Sequence, residues 1–179
     1  MDPHDLLSSL EDLPGLLQRT VDGLAEGDLR LRPATGGFAV VEQAWHLADL
    51  EAEGFGARIA SLLREEDVEL PDFDGAGVAK ARRYQDLDAV DGLWRFQQAR
   101  AANLATLRPL PPEAWGRSGR QAGVGPVTLA DLPRMMLEHD RSHARELVNL
   151  LAEIAPGHPA LPLLRAFAEL APPTSAQVA

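Results

Sequence analysis

The sequence predicts an all-α fold, a four-helix bundle with a short extra helix at its C-terminal end. Three observations lead to this prediction. Leu and Ala dominate a composition that is 45% hydrophobic and only 5% aromatic, which favours helices. Apolar residues recur every three or four positions in several long segments. No alternating strand pattern of useful length interrupts these segments.

The first predicted helix runs from Pro3 to Glu26 and ends at Gly27, before the turn residues 32–37. The second extends from about Phe38 to Arg64. Each has an apolar stripe at helical spacing, which would pack against the rest of the bundle. The stripe positions are Leu6, Leu10, Leu13, Leu17, Val21 and Leu24 in the first helix, and Val41, Trp45, Ala48, Phe55, Ile59 and Leu62 in the second.

The segment Glu65 to Gly77 holds six acidic residues, and it is predicted to be an exposed loop. A third helix is expected from about Val78 to Leu107, after a short preceding turn of helix. Its predicted apolar face consists of Leu87, Val90, Leu93, Trp94, Gln97, Ala101, Leu104 and Leu107.

Prolines and glycines between Pro109 and Pro126 predict a second long loop. Thr128 is placed to cap a fourth helix, with Asp131 three residues later, and this helix should end near Ala155. A short fifth helix is expected at 161–170. We therefore expect one helical domain over residues 1–171 and a disordered tail at 172–179.

Charge and composition exclude several classes of function. Asp and Glu number 27 against 17 Lys and Arg, so the net charge of −10 disfavours nucleic-acid binding. Cysteine is absent, which leaves imidazole and carboxylate groups as the available metal ligands. The sequence has neither a secretory signal pattern nor an apolar run long enough to span a membrane. We expect a cytoplasmic protein.

Three of the five histidines form the candidate site. His139 and His143 are four residues apart on the predicted fourth helix, so both imidazoles can reach one metal ion. Both lie on the stripe that otherwise carries leucine and methionine, which points them into the bundle. His46 lies on a face of the second helix that suits packing and is the expected third ligand. His4 and His158 are expected at the surface.

Other interpretations of the histidine pair must be weighed. One or both could be core histidines satisfied by a carboxylate or a backbone carbonyl, although two adjacent buried imidazoles would each need such a partner. The run His139-Asp140-Arg141-Ser142-His143 resembles the zinc-peptidase signature, but it has Asp where that signature has its catalytic Glu. A di-iron carboxylate bundle needs Glu-x-x-His on two helices, and that pattern is missing.

Several short motifs, in this order and spacing, resemble the DinB/YfiT-like superfamily of metal-dependent bundle proteins. The resemblance spans about residues 33–151. It rests on the Glu-Gln-x-x-His-Leu-x-Asp-x-Glu run at 42–51 followed by Arg58, on Phe-x-x-x-Arg at 96–100, on Gly-x-x-Thr-Leu at 125–129 and on His-Asp-x-x-His at 139–143. Relatives commonly have Trp-Ser where this chain has Phe38-Ala39, which predicts a weaker helix cap there.

The resemblance implies a four-helix bundle, often dimeric, that carries a divalent metal ion on His46, His139 and His143. Zinc and nickel are the first expected ions, and iron and manganese are further options. It also implies a kinship with enzymes that use low-molecular-weight thiols, such as mycothiol-dependent maleylpyruvate isomerase and bacillithiol transferases. The expected partner is accordingly a small molecule, with a homodimer as the expected assembly.

The resulting hypothesis is a metal-dependent hydrolase, or a transferase or isomerase that uses a thiol activated by the metal. Glu42 and Asp140 are the nearest candidates for orienting imidazole N–H groups, with ordinary surface carboxylates as the alternative. Arg100 is expected either to clamp an anionic substrate or to form an ion pair with Glu51 or Asp140. The three tryptophans are expected to be core or loop anchors. The alternative function is a non-catalytic metal-binding or dimerisation module.

Overall fold

The computed structural model describes residues 3–169. Its helices are α1 (Pro3–Ser9), α2 (Asp12–Asp22), α3 (Val40–Asp49), α4 (Ala57–Arg64), α5 (Gly75–Arg82), α6 (Ala89–Leu107), α7 (Leu132–Ile154) and α8 (Leu161–Glu169). Its strands are β1 (Val68–Leu70), β2 (Ser118–Gln121) and β3 (Gly125–Thr128). The tail predicted to be disordered, 172–179, lies outside the described residues.

The predicted four-helix bundle is confirmed. Helices α1 and α2 form its first member, α3 and α4 with the segment between them form the second, and α6 and α7 are the third and fourth. Helix α6 packs along α3, while α1 and α8 pack against α7. The largest fully buried apolar side chains include Leu10, Leu13, Leu17, Leu47, Ile59, Leu93, Phe96, Leu107, Leu129 and Leu132. No helix of this described part combines the length and the apolarity that a membrane crossing requires.

The first bundle member is two helices rather than the single predicted one. The break falls at Leu10 and Glu11, and Pro14 accounts for it, since a proline ring clashes with the carbonyl four residues before it and cannot donate to it. The carbonyl of Leu10 accepts a hydrogen bond from Arg100 Nη1 at 2.7 Å instead. The apolar stripe continues across the break, which is why periodicity alone did not reveal it.

The second bundle member is continuous, as predicted, but its middle is a π-helix spanning Leu50–Gly56. A π turn is wider than an α turn and is found frequently at functional sites. This segment begins four residues after His46. It carries Glu51 and Phe55, whose side chains are both buried.

The two predicted loops contain a small three-stranded sheet, so the expectation of no strands was wrong. Strand β1 pairs in parallel with β2, and β2 pairs antiparallel with β3. Each strand has only three or four residues, too few for a readable alternation. Gly119 is required here, because an added Cβ would lie 2.6 Å from the carbonyl oxygen of Val68.

The third predicted helix is also divided. Helix α5 ends at Arg82, the next residue Arg83 adopts a left-handed conformation, and α6 starts after a short turn at Tyr84–Asp86. The buried face of α6 differs from the predicted one, because Val90 and Trp94 are exposed. Arg100 and Asn103 lie on the buried face in their place, and both contact Glu51.

The predicted helix cap and the last two predicted helices are confirmed. Thr128 and Asp131 form a capping box in which the Asp131 carboxylate accepts from the Thr128 backbone N–H at 2.9 Å and from its hydroxyl at 2.6 Å. Helix α7 then begins at Leu132 and ends just before Pro156-Gly157, and α8 follows. Of the tryptophans, Trp115 is buried and Trp45 half-buried, so Trp94 is the one placed wrongly.

Candidate metal centre

The three predicted histidines meet inside the bundle. His46 comes from α3, and His139 and His143 come from successive turns of α7. Their ligand nitrogens lie within 4.8 Å of one another. His46 and His143 are buried, and His139 is half-buried. The structure thus brings together all three residues chosen from the sequence.

The distances between ring nitrogens fit a shared metal ion. Nε2 of His139 lies 3.4 Å from Nε2 of His46 and 3.0 Å from Nε2 of His143. Two nitrogens bound tetrahedrally to an ion at about 2.0–2.1 Å would be about 3.3 Å apart. The cluster therefore needs little rearrangement to hold such an ion.

Hydrogen bonds fix the tautomer of His143. Its Nδ1 contacts the side-chain oxygen of Gln43 and lies 3.1 Å from Glu146 Oε2. Both partners are acceptors at these atoms, so Nδ1 carries the proton and Nε2 presents a lone pair. Gln43 Nε2 also donates to Glu146 at 2.7 Å, which ties the two partners to each other. His143 is thereby held in the form that binds a metal.

Burial keeps two of the three histidines neutral. It lowers the pKa of His46 to about 4, and the neighbouring His143 adds to this effect. Burial, together with His143 and His46, lowers the pKa of His139 to about 2. Both rings are uncharged at neutral pH, so their lone pairs are available to a cation.

Aromatic side chains and a glycine enclose His46. The rings of Phe38 and Phe73 have centroids 5.4 and 6.1 Å from that of His46. An added Cβ on Gly75 would lie 2.5 Å from Cε1 of His46 and 3.0 Å from its Nδ1. This Nδ1 is buried and has no hydrogen-bond partner. His46 therefore sits in a tight apolar cradle and has only its Nε2 directed at the other two histidines.

A buried ion-pair network lies next to the histidines and involves Arg100. Its Nη1 donates to Asp140 at 2.7 Å, and its Nη2 donates to Glu51 at 2.8 Å and Asp140 at 2.9 Å. Asn103 donates to the other Glu51 oxygen at 2.8 Å. All four residues are buried. Of the two roles expected for Arg100, the ion pair is therefore confirmed, and its donors face carboxylates rather than open space.

The two carboxylates expected to orient imidazoles are engaged elsewhere. Asp140 bonds Arg100, and burial raises its pKa although Arg100 opposes this. Glu42 accepts from Arg32 and from the backbone N–H of Ala39, at 3.0 Å for the latter. Glu42 thus supplies one half of a capping box at the start of α3, while Ala39 has no side-chain oxygen for the other half.

The other two histidines have different surroundings. His4 is exposed, and its ring contacts Trp115 edge to face with centroids 5.2 Å apart. His158 was expected at the surface, but it is buried against the end of α2, where Gly23 makes room for its ring. Its Nδ1 accepts from the Ala160 backbone N–H at 3.1 Å. The proline- and glycine-rich turn around His158 predicted an exposed side chain, but the packing of α8 buries it.

Sequence reasoning missed Gln43 and Glu146 as partners of His143. The signal for Glu146 was its position three residues after His143, which puts both on one helix face. The signal for Gln43 was weaker, since it neighbours Glu42 in the motif and lies three residues before His46. The groups that orient His143 are therefore neighbours of the predicted ones. Gln43 directly follows Glu42, and Glu146 lies three residues after His143, whereas Asp140 lies three residues before it.

Comparison with known proteins adds a family and a fold. The sequence profile of the DinB superfamily matches residues 9–147. YfiT from Bacillus subtilis, described as a probable metal-dependent hydrolase with an unusual four-helix bundle topology, is similar with a TM-score of 0.77 and 20% identity. That likeness covers 85% of this chain and 87% of YfiT. No curated protein matches the chain.

Two further similar structures are those of the mycothiol-dependent maleylpyruvate isomerase and a point variant of that enzyme. Their TM-scores are 0.67 and 0.65, with 14% and 11% identity over 82% and 84% of this chain. The chain spans 61% of the isomerase's length. At these identities the likeness concerns the fold.

Proposed function

The chain belongs to the DinB superfamily, and we propose that it is an enzyme that holds one divalent metal ion on His46, His139 and His143. The observation that carries this proposal is the convergence of three imidazoles whose Nε2 atoms face one another at 3.0 and 3.4 Å. When all three Nε2 atoms present lone pairs, these repel each other, and a cation among them removes that repulsion.

The donor set favours a catalytic site over a purely structural one. Structural zinc sites are closed by four protein ligands, whereas catalytic sites have three and keep a position open. Among residues 3–169, no further histidine or carboxylate joins this cluster. When bound, a divalent ion on three neutral ligands would keep its full charge and supply Lewis-acid activation of a water or a thiol.

The residues around the histidines would position the imidazole rings and exclude water from the site. Gln43 and Glu146 hold the His143 ring in one orientation and one tautomer. The hydrogen bond from His143 is the main reason that the pKa of Glu146 is lowered to about 2, so this carboxylate stays ionised. Phe38, Phe55 and Phe73 surround the rings and reduce the access of water.

We propose a small molecule as the substrate and either water or a low-molecular-weight thiol as the nucleophile. Water would give a hydrolase, in line with the description of YfiT, and a thiol would give a transferase or an isomerase, in line with the thiol-dependent isomerase. Zinc and nickel are the proposed ions, followed by iron and manganese. The expectation of a homodimer stays a prediction.

The test is an activity screen of the metal-free protein reloaded in turn with zinc, nickel, iron or manganese. One arm offers ester and amide substrates in water, and the other offers small thiols with an electrophile. We expect turnover in one arm that depends on the added metal and is lost in His143→Ala. Metal binding without turnover in either arm would instead support the non-catalytic module.

A further inference from the structure

A recess of about 320 Å³ lies beside the histidine cluster, between the start of the second bundle helix and the end of α5. This volume is in the range of small-molecule sites. Phe38 supplies aromatic surface to its wall. The Phe38 ring also lies 5.4 Å from the His46 ring, between centroids. Phe38 therefore borders both the recess and the histidine cluster.

The recess carries one uncompensated positive charge. Its wall has three cationic side chains and two carboxylates. Arg32 makes a two-pronged pair with Glu42, and Arg83 pairs with Asp86 at 2.6 Å. Lys80 has no carboxylate within ion-pair distance anywhere in the described range 3–169. A local excess of positive charge is unexpected in a chain whose net charge is −10.

The backbone at Arg83 adds an independent observation. Arg83 follows α5 with φ 54° and ψ 52°, in the left-handed region. Glycine is the usual residue there, because a side chain makes this conformation costly. Strained non-glycine residues concentrate at ligand-binding and catalytic sites. This turn directs the chain so that Arg83 contributes to the wall of the recess, while Tyr84 turns into the core.

We propose that this recess binds a small monocarboxylate, with its apolar or aromatic body against Phe38 and its charge beside Lys80. A single uncompensated ammonium matches a single negative charge. A phosphate dianion would need several converging donors, as helix N-termini or arginine forks provide. The binding site requires no metal ion, and it therefore goes beyond the function proposed above.

A simpler explanation for the basic residues is the helix dipole, since Lys80 and Arg82 lie in the last turn of α5. Arg82 fits that explanation and also pairs with Asp49 and Glu53, at 2.6 and 2.8 Å. The dipole does not account for Arg83 or for the recess. It predicts that replacing Lys80 changes only the stability of α5, which allows the two explanations to be separated.

The experiment uses the fact that Lys80 is the only lysine in the sequence. An amine-acetylating reagent should modify Lys80 and the terminal α-amino group, and peptide mass spectrometry reports both rates in one sample. With benzoate as the probe, we expect acetylation of Lys80 to slow at least about threefold, while the α-amino rate stays constant. Benzamide, the uncharged analogue, should give no protection.

Direct titration of the probe provides the second readout. Lys80→Gln should weaken benzoate binding about tenfold, the loss of one charge-assisted contact. Arg165→Gln, on α8, makes the same change in net charge away from the recess and should leave binding unchanged. Inorganic phosphate should bind more weakly than benzoate. The same titration with His143→Ala should match the wild type, so failure of the metal proposal leaves this result standing.

Several outcomes would overturn the proposal. They are equal protection by benzamide, equal benzoate affinity in Lys80→Gln and the wild type, or an equal loss in Arg165→Gln. Stronger binding of phosphate than of benzoate would also overturn it, as the recess would then be a phosphate site. Loss of benzoate binding in His143→Ala would assign the probe to the histidine cluster instead.

Discussion

Two clusters of buried polar side chains lie side by side in this bundle, and they differ in how far their polar atoms find hydrogen-bond partners within the protein. The Arg100 cluster joins one guanidinium to two carboxylates and a backbone carbonyl, and only Nε of Arg100 lacks a partner. In the histidine cluster the three rings mainly face each other, and Nδ1 of His46 has no partner at all.

This difference separates a structural role from a functional one. Buried polar groups normally find partners within the protein, and the Arg100 cluster finds almost all of its own. In the histidine cluster Gln43 and Glu146 hold the His143 ring, while the three rings direct their Nε2 atoms at one another. We infer that the first cluster stabilises the fold and that the second requires an ion that the chain does not supply.

The largest expected effect tests the structural half of this comparison. Arg100→Met leaves Glu51 and Asp140 buried without their cation, and we expect the free energy of unfolding to fall by about 3–5 kcal/mol. Chemical denaturation of the metal-free protein measures it. Arg134→Met removes an exposed arginine from its pairs with Asp131 and Glu138 and should cost less than about 1 kcal/mol. Equal losses in the two variants would contradict a structural role for the network.

A second variant tests how the histidine cluster is oriented. Glu146→Gln keeps the size of the side chain but weakens the acceptor of the His143 Nδ1 proton. We expect metal affinity to fall about 10–100-fold, the usual effect of losing such a partner, with little change in metal-free stability. Competition with a chromophoric chelator measures the affinity. Unchanged affinity would show that Gln43 alone fixes the ring.

A third variant changes the cradle of His46 and leaves the three histidines themselves unchanged. In Gly75→Ala the new Cβ would lie 2.5 Å from Cε1 of His46, so the ring must move. We expect about a tenfold loss of metal affinity, by misplacement of the ligand. Gly116→Ala is the matched control, since an added Cβ there meets nothing within 4 Å. If both variants bind metal like the wild type, the cradle does not position His46.

The smallest effect concerns His158, a buried histidine whose Nδ1 does find a partner within the chain. Burial lowers its pKa below 6.5, so the folded state binds fewer protons than the unfolded state as the pH falls below that value. Wild type should therefore lose more stability than His158→Gln on acidification, by at most about 1.4 kcal/mol per pH unit. Denaturation of the metal-free proteins across this range measures it; parallel pH profiles would contradict the burial effect.

Much of the fold could be predicted because it depends on local patterns. The apolar stripes of the bundle helices, the Thr128–Asp131 cap and the stop at Pro156-Gly157 are all readable from spacing and residue type. The π-helix and the three short strands depend on contacts distant in sequence or on very short segments. The break before Pro14 follows from the proline itself, but the apolar stripe that continues across it hid the break. The buried face of α6 was misjudged because Arg100 and Asn103 count as surface residues until Glu51 is seen to meet them.

The site shows the same division. The i,i+4 spacing of His139 and His143 and the helical position of His46 sufficed to select all three histidines that converge. Gln43 could not be selected as a partner of His143 in the same way, because it comes from a different helix that meets α7 only in the folded bundle. Glu146 lies three residues after His143 on α7, and that readable spacing was overlooked. His158 was misplaced for a related reason, since α8 and the end of α2 bury a turn that is polar in composition.

The most direct test of the central claim is the metal content of the purified protein after supplementation with zinc or nickel, measured by mass spectrometry of the elements. We expect close to one ion per chain in the wild type and in His158→Gln, and less than about 0.2 in His143→Ala. His158→Gln controls for the loss of any buried histidine. Wild-type content below about 0.2, or equal content in all three proteins, would contradict a metal centre on His46, His139 and His143.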